Sequence, residues 1–587
     1  MPAPRRPYVA VVVGLVTVAL VAVVAGQAAA RTAAGGGAAV TRASSEAVTT
    51  RRGELGIVLP RMSCAQLAAV DVSVAVGAGT GITAATISTA EGHPACRIEG
   101  VIASQIQFTL TLPTQTWRQR YLQNGCSGLC GMTIIIDLAA VNCAPLSDGE
   151  FARAATNEGH VSGGSNEGNF GTDPALRIDY AYRANHLLAL AAKALMKVFY
   201  GQPPTYSYFD GCSEGGRNAL QEAQRYPTDF DGIVAGAPAS IIEYLAGLYE
   251  AWVANVAFDP AGRQILGADK LPMLHRAVLA ACDGNDGLVD GQIDDPRACT
   301  FDPVSLLCSG ADAPNCLTRE QVAVVRKVYS GPVDANGKHL YPGGAPVGSE
   351  LMWAPWLVPT SPGDPPSSTL AWPIASGWLK YLGFGTNPPL SFTLDRARFD
   401  HKTFAQLSEL AGLYNATDPD LSAFRRAGGK LILWHGWADA AIPPFGTVAY
   451  YQAMQDTMGG LAAVQRFARL FMFPGMNHCF GGDGPNSFDM LTPMMAWVEQ
   501  GVAPTKIVAA GMVNGVTRTR PVFPYPQVAR YRGSGSIDTA ANFVPANPGT
   551  RFDDRFDWLG SFDPNDKLWA HVRDGAIVLN RNRKDDG

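Results

Sequence analysis

Short apolar runs bounded by turn residues recur along the chain, and each predicts a strand. The first is Thr205-Tyr206-Ser207-Tyr208-Phe209, followed by a helical stretch at 217–225 (RNALQEAQR). A second is Asp231-Gly232-Ile233-Val234-Ala235-Gly236-Ala237-Pro238, and a third, Leu431-Ile432-Leu433-Trp434-His435-Gly436, runs into a loop that carries Asp439. A fourth is Leu470-Phe471-Met472-Phe473. Strands separated by helical patterns predict an α/β fold. The stretch between the second and third strands is too long for a simple strand connection. It holds an amphipathic segment at 271–281, an acidic loop and a Pro/Gly/Trp-rich segment at 343–389, and reads as a lid domain inserted into the core.

Candidate chemistry sits where these strands end. Gly211-Cys212-Ser213-Glu214-Gly215 has the G-x-S-x-G form of a nucleophile elbow, in which a strand turns sharply into a helix and leaves the serine hydroxyl exposed. Asp439 and then His478, in Met476-Asn477-His478-Cys479, follow in the order of an α/β-hydrolase. His478 would take the Ser213 proton and Asp439 would orient the imidazole. His435 is the nearest competitor, but it precedes the aspartate. An oxyanion hole needs two backbone N–H groups. Glu214, directly after the nucleophile, supplies one, and the turn Asn124-Gly125-Cys126-Ser127-Gly128 supplies the other from Gly125 or Cys126. Cys212 precedes the serine and Cys479 follows the histidine. A bridge between them would hold their Cα atoms roughly 5.5 Å apart and make Ser213 and His478 neighbours.

This Cys-Ser, Asp, His-Cys arrangement resembles the tannase and feruloyl esterase family. Ala155-Thr156-Asn157-Glu158-Gly159-His160, Tyr180-Ala181-Tyr182-Arg183-Ala184-Asn185-His186, Arg520-Pro521-Val522-Phe523-Pro524-Tyr525-Pro526 and Ala540-Ala541-Asn542-Phe543 extend the resemblance from about Cys64 to about Pro545. It implies an α/β-hydrolase fold with a large inserted lid domain, a serine esterase for aromatic carboxylic esters, and the disulfides Cys64–Cys96, Cys212–Cys479, Cys282–Cys299 and Cys308–Cys316. Cys126, Cys130 and Cys143 are left over, and Cys130–Cys143 is the expected pair. A family member that hydrolyses a terephthalate mono-ester makes that substrate the alternative. A non-catalytic, calcium-stabilised extracellular binding protein is the alternative of another class, against which the intact Ser, Asp and His speak.

The segment 282–294 (CDGNDGLVDGQID) places four aspartates among glycines. Hard oxygen donors on a curling loop suit Ca²⁺, and the spacing is not that of an EF-hand. By the resemblance, Asp283, Asp286 and Asp290 give carboxylates and Leu288 and Gln292 give backbone carbonyls to one structural ion. Trp353, Trp356, Trp372, Trp378 and Phe384 crowd the lid, where aromatic walls would stack on a phenolic or terephthalic ring. Trp378, and Ile442 three residues past Asp439, are the expected substrate contacts.

Composition narrows the partners. A net charge of −5 without a basic stripe leaves no nucleic-acid surface. Arg5-Arg6 followed by the apolar run 8–25 and small residues reads as a secretory signal peptide over 1–30, or as a membrane anchor if it is not cleaved. Residues 31–53, rich in Ala, Gly, Ser and Thr, read as a spacer. The expected organisation is then a first core part at 54–240, a lid at 241–427, a second core part at 428–550 and a C-terminal extension at 551–587. The protein is expected to be secreted or extracytoplasmic, acting on a small-molecule aromatic ester.

Overall fold

A computed structural model describes residues 55–162, 166–513, 515–556, 559 and 568–581. The expected signal or anchor segment and spacer lie outside the described residues. A nine-stranded mixed sheet organises the rest. Its strands are β1 (Gly81–Ala90), β2 (His93–Ile102), β3 (Ile106–Pro113), β4 (Arg120–Asn124), β5 (Phe151–Thr156), β6 (Tyr206–Cys212), β7 (Gly232–Gly236), β8 (Lys430–Gly436) and β9 (Ala468–Phe473). They lie in the order β1-β2-β3-β5-β4-β6-β7-β8-β9. The first three pair antiparallel, and β3 pairs antiparallel with β5. From β5 to β9 every pairing is parallel.

The parallel strands are buried almost throughout, as strands covered by helices on both faces must be. One face packs on α1 (Ala184–Tyr200), where Leu188, Ala192, Leu195 and Phe199 recur at helical spacing and are fully buried. Its last turn ends on Gly201, which sits at φ 79°, the left-handed C-cap conformation that glycine takes without strain. The helix after β6, α2 (Glu214–Arg225), is buried on all sides, charged residues included.

Among the described residues the sheet has no strand between β7 and β8. That interval is built of helices and loops, among them α3 (Glu250–Val256), α4 (Leu271–Cys282), α5 (Ala371–Tyr381) and α6 (His401–Tyr414). Five disulfides are formed. Four are the pairs the resemblance implies; the fifth is a correction. Cys126 pairs with Cys130, their Cα atoms 5.4 Å apart, and Cys143 is the free thiol. Cys130 and Gly131 both take positive φ (67° and 98°), which curls the turn back onto Cys126. Cys143 faces away, into the apolar cluster beneath Leu491 and Met494, where its sulfur accepts the Thr492 hydroxyl at 3.5 Å. Burial pushes its thiol up to about 11, so it stays protonated and inert.

The described part of the C-terminal extension packs on the core. Its hairpin β10 (Trp569–Arg573) and β11 (Ala576–Asn580) docks Trp569 edge-on against Tyr182 and Tyr226. The Arg225 guanidinium, at the end of α2, lies 5.4 Å above the Trp569 ring. No helix of the described residues is long and apolar enough to cross a membrane.

Candidate active site

The elbow stands where β6 meets α2, at the carboxyl edge of the parallel strands, the usual ligand edge of such sheets. Ser213 sits at φ 69°, ψ −124°, a conformation few side-chain-bearing residues adopt. Three backbone bonds hold it there. Its N–H donates to Gly236 O at 3.0 Å, and its carbonyl accepts from Arg217 at 3.1 Å and Ala239 at 3.0 Å. The turn closes only because Gly211 lacks a side chain, since a Cβ there would fall 2.5 Å from the Gly215 carbonyl group.

Ser213, Asp439 and His478, far apart in the chain, converge. Ser213 Oγ lies 2.9 Å from His478 Nε2, and His478 Nδ1 lies 2.7 Å from Asp439 Oδ2. Asp439 is fully buried, and its other oxygen accepts the N–H groups of Ala441 and Ile442, each at 2.9 Å. Burial alone would raise its pKa. The two histidines and their hydrogen bonds outweigh this and hold the carboxyl well below the usual range. His435 is the second of these. Its Nε2 lies 3.1 Å from Asp439 Oδ2 and 2.9 Å from Ile442 O, both acceptors, so that nitrogen donates, while Nδ1 lies 2.8 Å from the Thr447 hydroxyl. The competitor for the base is thus a brace for the aspartate. Cys212 and Cys479 are bridged with Cα atoms 6.0 Å apart.

The glycine turn after β4 lies against the first turn of α2: a Cβ on Gly125 would fall 2.5 Å from Gly215 Cα. Of the two residues expected to aim an N–H at an oxyanion, Gly125 is committed elsewhere. It donates to Asp210 O at 3.0 Å, extending the β4–β6 pairing by one bond. The Cys126 N–H makes only a long contact, 3.3 Å to Asn218 Oδ1. The Glu214 N–H is at the first position of α2, where a helix offers no acceptor of its own. The Glu214 side chain points the other way. It pairs with the fully buried Arg217, which also donates to the carbonyls of Tyr180, Ala181 and Tyr414. Tyr180 and Ala181 therefore support the first turn of α2 through their carbonyls.

Of the two expected substrate contacts, the aromatic one lies inside the lid. Trp378 is fully buried on α5, its ring against Tyr180 and Tyr414 and its N–H on Glu243 at 3.3 Å. It is lid core. The ring beside the triad is Trp356, half-buried, with its centroid 6.0 Å from that of His478. Ile442 donates its N–H to Asp439 and its carbonyl accepts from His435, while its side chain is buried. A cavity of about 420 Å³ in the lid is lined by Phe384, Phe392, Arg396 and Arg398 among others, and by no member of the triad.

In the acidic loop, Asp283 accepts the N–H groups of Asp290 at 3.0 Å and Gly291 at 2.9 Å. Asp290 pairs with Arg520, and burial and the neighbouring aspartates hold it up at about 6 against the pull of that arginine and of Arg518. The buried Gln292 Oε1 has no hydrogen-bond partner. Among the described residues the one tight trio of potential ligands is Cys126, Cys130 and Glu214, whose sulfurs are joined in a disulfide; no three of the loop aspartates converge as closely.

One ionic contact ties the lid to the loop that carries His478. His275 of α4 is buried, with Nδ1 2.7 Å from Glu350 Oε2 and Nε2 3.1 Å from Asp483 Oδ2. Burial lowers its pKa, but the two carboxylates outweigh this and raise it to about 9. A folded-state value above the unfolded one, roughly 6.5, stabilises the fold below that lower value, and the contribution is lost as pH rises through about 9. The melting temperature should therefore fall between these values, and His275→Gln should flatten that fall. Equal slopes in both proteins would remove His275 from the account.

Fold and site together define a carboxylic ester hydrolase of the α/β-hydrolase type. The model of the family "Tannase and feruloyl esterase" matches residues 88–546, and the chain belongs to that family. It is 36% identical over 540 residues to the mono(2-hydroxyethyl) terephthalate hydrolase of Piscinibacter sakaiensis, covering 81% of this chain and 88% of that protein. To a probable feruloyl esterase B-1 of Aspergillus flavus it is 32% identical, over 77% of this chain and 86% of the relative. The crystal structure of feruloyl esterase B from Aspergillus oryzae superposes with a TM-score of 0.71 at 27% identity, over 82% of this chain and 100% of that one.

Proposed function

We propose that the protein is an exported serine esterase that hydrolyses aromatic carboxylic esters of the feruloyl or galloyl kind through an acyl-enzyme. The continuous hydrogen-bonded chain Ser213 Oγ, His478 Nε2, His478 Nδ1, Asp439 Oδ2 carries the reading. Ser213 Oγ attacks the ester carbon while His478 Nε2 takes its proton. The carbonyl oxygen becomes an oxyanion held by the Glu214 N–H and by Cys126, whose long contact to Asn218 is readily exchanged. Collapse expels the alkoxide, which takes the proton back from His478, and water releases the acid by the same steps in reverse order. Five disulfides suit an oxidising compartment. Turnover of methyl ferulate, methyl gallate, a terephthalate mono-ester and p-nitrophenyl acetate by purified protein tests the reading, and hydrolysis of the acetate alone would sink it. The terephthalate mono-ester stands as the second reading, on the 36% identity to a hydrolase of such an ester.

The acidic loop fits one structural Ca²⁺ in its donor chemistry: the buried carboxyls of Asp283 and Asp290, the latter held up by burial and by neighbouring aspartates, and an unpartnered buried amide oxygen. Asp283, Asp286 and Asp290 would hold the ion with the carbonyls of Leu288 and Gln292. It would supply stability, since an ion bound only by the folded state stabilises by mass action. EDTA should lower the melting temperature and metal analysis should find one calcium per chain. A metal-free protein with an EDTA-insensitive melting temperature would refute the site.

A further inference from the structure

His478 sits near the tip of a narrow loop that follows β9. Across the loop, Asn477 N–H donates to Gly481 O at 3.0 Å and Gly484 N–H to Gly475 O at 3.2 Å, and Met476 and Gly482 form an antiparallel bridge. The stalks pass so close that a Cβ on Gly482 would fall 2.1 Å from Gly475 O. They rest on different parts of the molecule. The outgoing stalk is fastened to the core, since Met476 O accepts the N–H of Ala438, the residue before Asp439, at 2.9 Å. The return stalk meets the lid. Asp483 Oδ2 lies 3.1 Å from His275 Nε2 of α4. Gln292 packs against both ends of the loop: a Cβ on Gly475 would fall 3.1 Å from its Cβ, and one on Gly484 3.1 Å from its Oε1.

His275 is itself held from behind. Its Nδ1 lies 2.7 Å from Glu350 Oε2, and the fully buried Glu350 accepts the Tyr329 hydroxyl and the Gly348 N–H on its other oxygen, each at 2.7 Å. A carboxylate oxygen faces each ring nitrogen, which favours the charged imidazolium. Its contact with Asp483 is charge to charge rather than an aligned hydrogen bond, and burial of the ring spares it much of the screening that weakens surface pairs. The base must take a proton from Ser213 Oγ and return it to the leaving alkoxide, and both transfers depend on where its ring is held. We propose that His275 and Asp483 are positioning residues for hydrolysis: their ion pair fixes the return stalk to the lid and thereby sets the reach of His478 Nε2 to Ser213 Oγ. The lid then does more than cover the site; it is one of the two mounts of the base. The proposal rests on the serine-esterase reading above and on no particular ester.

The test reads p-nitrophenyl acetate turnover and the rate at which a fluorophosphonate labels Ser213, both well below the melting temperature. Asp483→Ala, a change at a partly exposed loop residue, should lower kcat about tenfold, leave KM unchanged and slow labelling to the same degree. The loss stops there because the Cys212–Cys479 bridge and the Asp439 bond still hold the loop. His275→Gln should act alike, and the double variant should be no slower than the slower single one, since both changes remove one interaction. Asp483→Glu keeps the charge and should retain most of the rate. Asp312→Asn is the control: it breaks an ion pair with Lys270 inside the lid, and kcat should not change. Wild-type kcat in Asp483→Ala, a loss carried by KM, or single losses that multiply in the double variant would overturn the proposal and leave the esterase reading standing. A wild type that neither hydrolyses the acetate nor takes the label would overturn that reading, and the proposal with it.

Discussion

Ser213→Ala is expected to leave a folded protein whose ester turnover is lower by roughly ten-thousand- to million-fold, the loss seen when a member of a catalytic triad is removed. The hydroxyl is the only group lost, and its contact is with His478. The bonds that shape the elbow are backbone bonds, from Gly236, Arg217 and Ala239, and alanine keeps all of them. The positive φ of 69° strains alanine much as it strains serine. The melting temperature should therefore shift little while kcat collapses. Residual turnover within tenfold of wild type, in a variant with an unchanged melting curve, would remove Ser213 from the mechanism and leave the fold without its nucleophile.

Replacing Cys212 and Cys479 together by alanine is expected to cost both stability and rate. The bridge spans 267 residues. Chain-entropy reasoning assigns a loop of that length about 5 kcal/mol, an upper figure because native strain is left out. The effect on rate has a separate origin. The bridge joins the residue before the nucleophile to the residue after the base, and the 2.9 Å Oγ–Nε2 contact lies between them. Without it, the loop holding His478 is retained by the Asp439 bond, by the Asp483–His275 contact and by local backbone bonds. Small displacements of a base cost orders of magnitude in rate. Measured well below its lowered melting temperature, the double variant should lose more in kcat than in KM. A destabilised variant with wild-type kcat would show that the bridge serves folding alone.

The elbow and the strands around it were legible because their chemistry is local. The glycines flanking Ser213 and the apolar runs ending at Phe209, Trp434 and Phe473 mark one edge of one sheet, and chain order assigned Asp439 and His478. The antiparallel strands β1 to β3 escaped notice because their mixed residues carry no motif. The tryptophans illustrate the harder limit. Trp356 and Trp378 sit in similar apolar surroundings in the sequence, and what separates core from site is the partner of each indole, Glu250 at a separation of 106 residues and Glu243 at 135. Cys130 misled for a related reason, since a positive φ at the cysteine itself turns its side chain back towards Cys126. His435 was weighed as a rival base, and only the positions of Asp439, Ile442 and Thr447 around its ring show it to be a support.

The bridge between Cys212 and Cys479 also closes a covalent ring that contains the whole lid, because the lid is inserted between β7 and β8, inside the span of the bridge. A protease that cuts an exposed lid stretch, such as 360–363, would open the ring without dividing the molecule. Both fragments would remain joined beside the nucleophile and the base, and a nicked enzyme would run as one chain until it was reduced. For the exported enzyme proposed above, the joint that aligns the catalytic residues is also the joint that keeps a damaged copy in one piece.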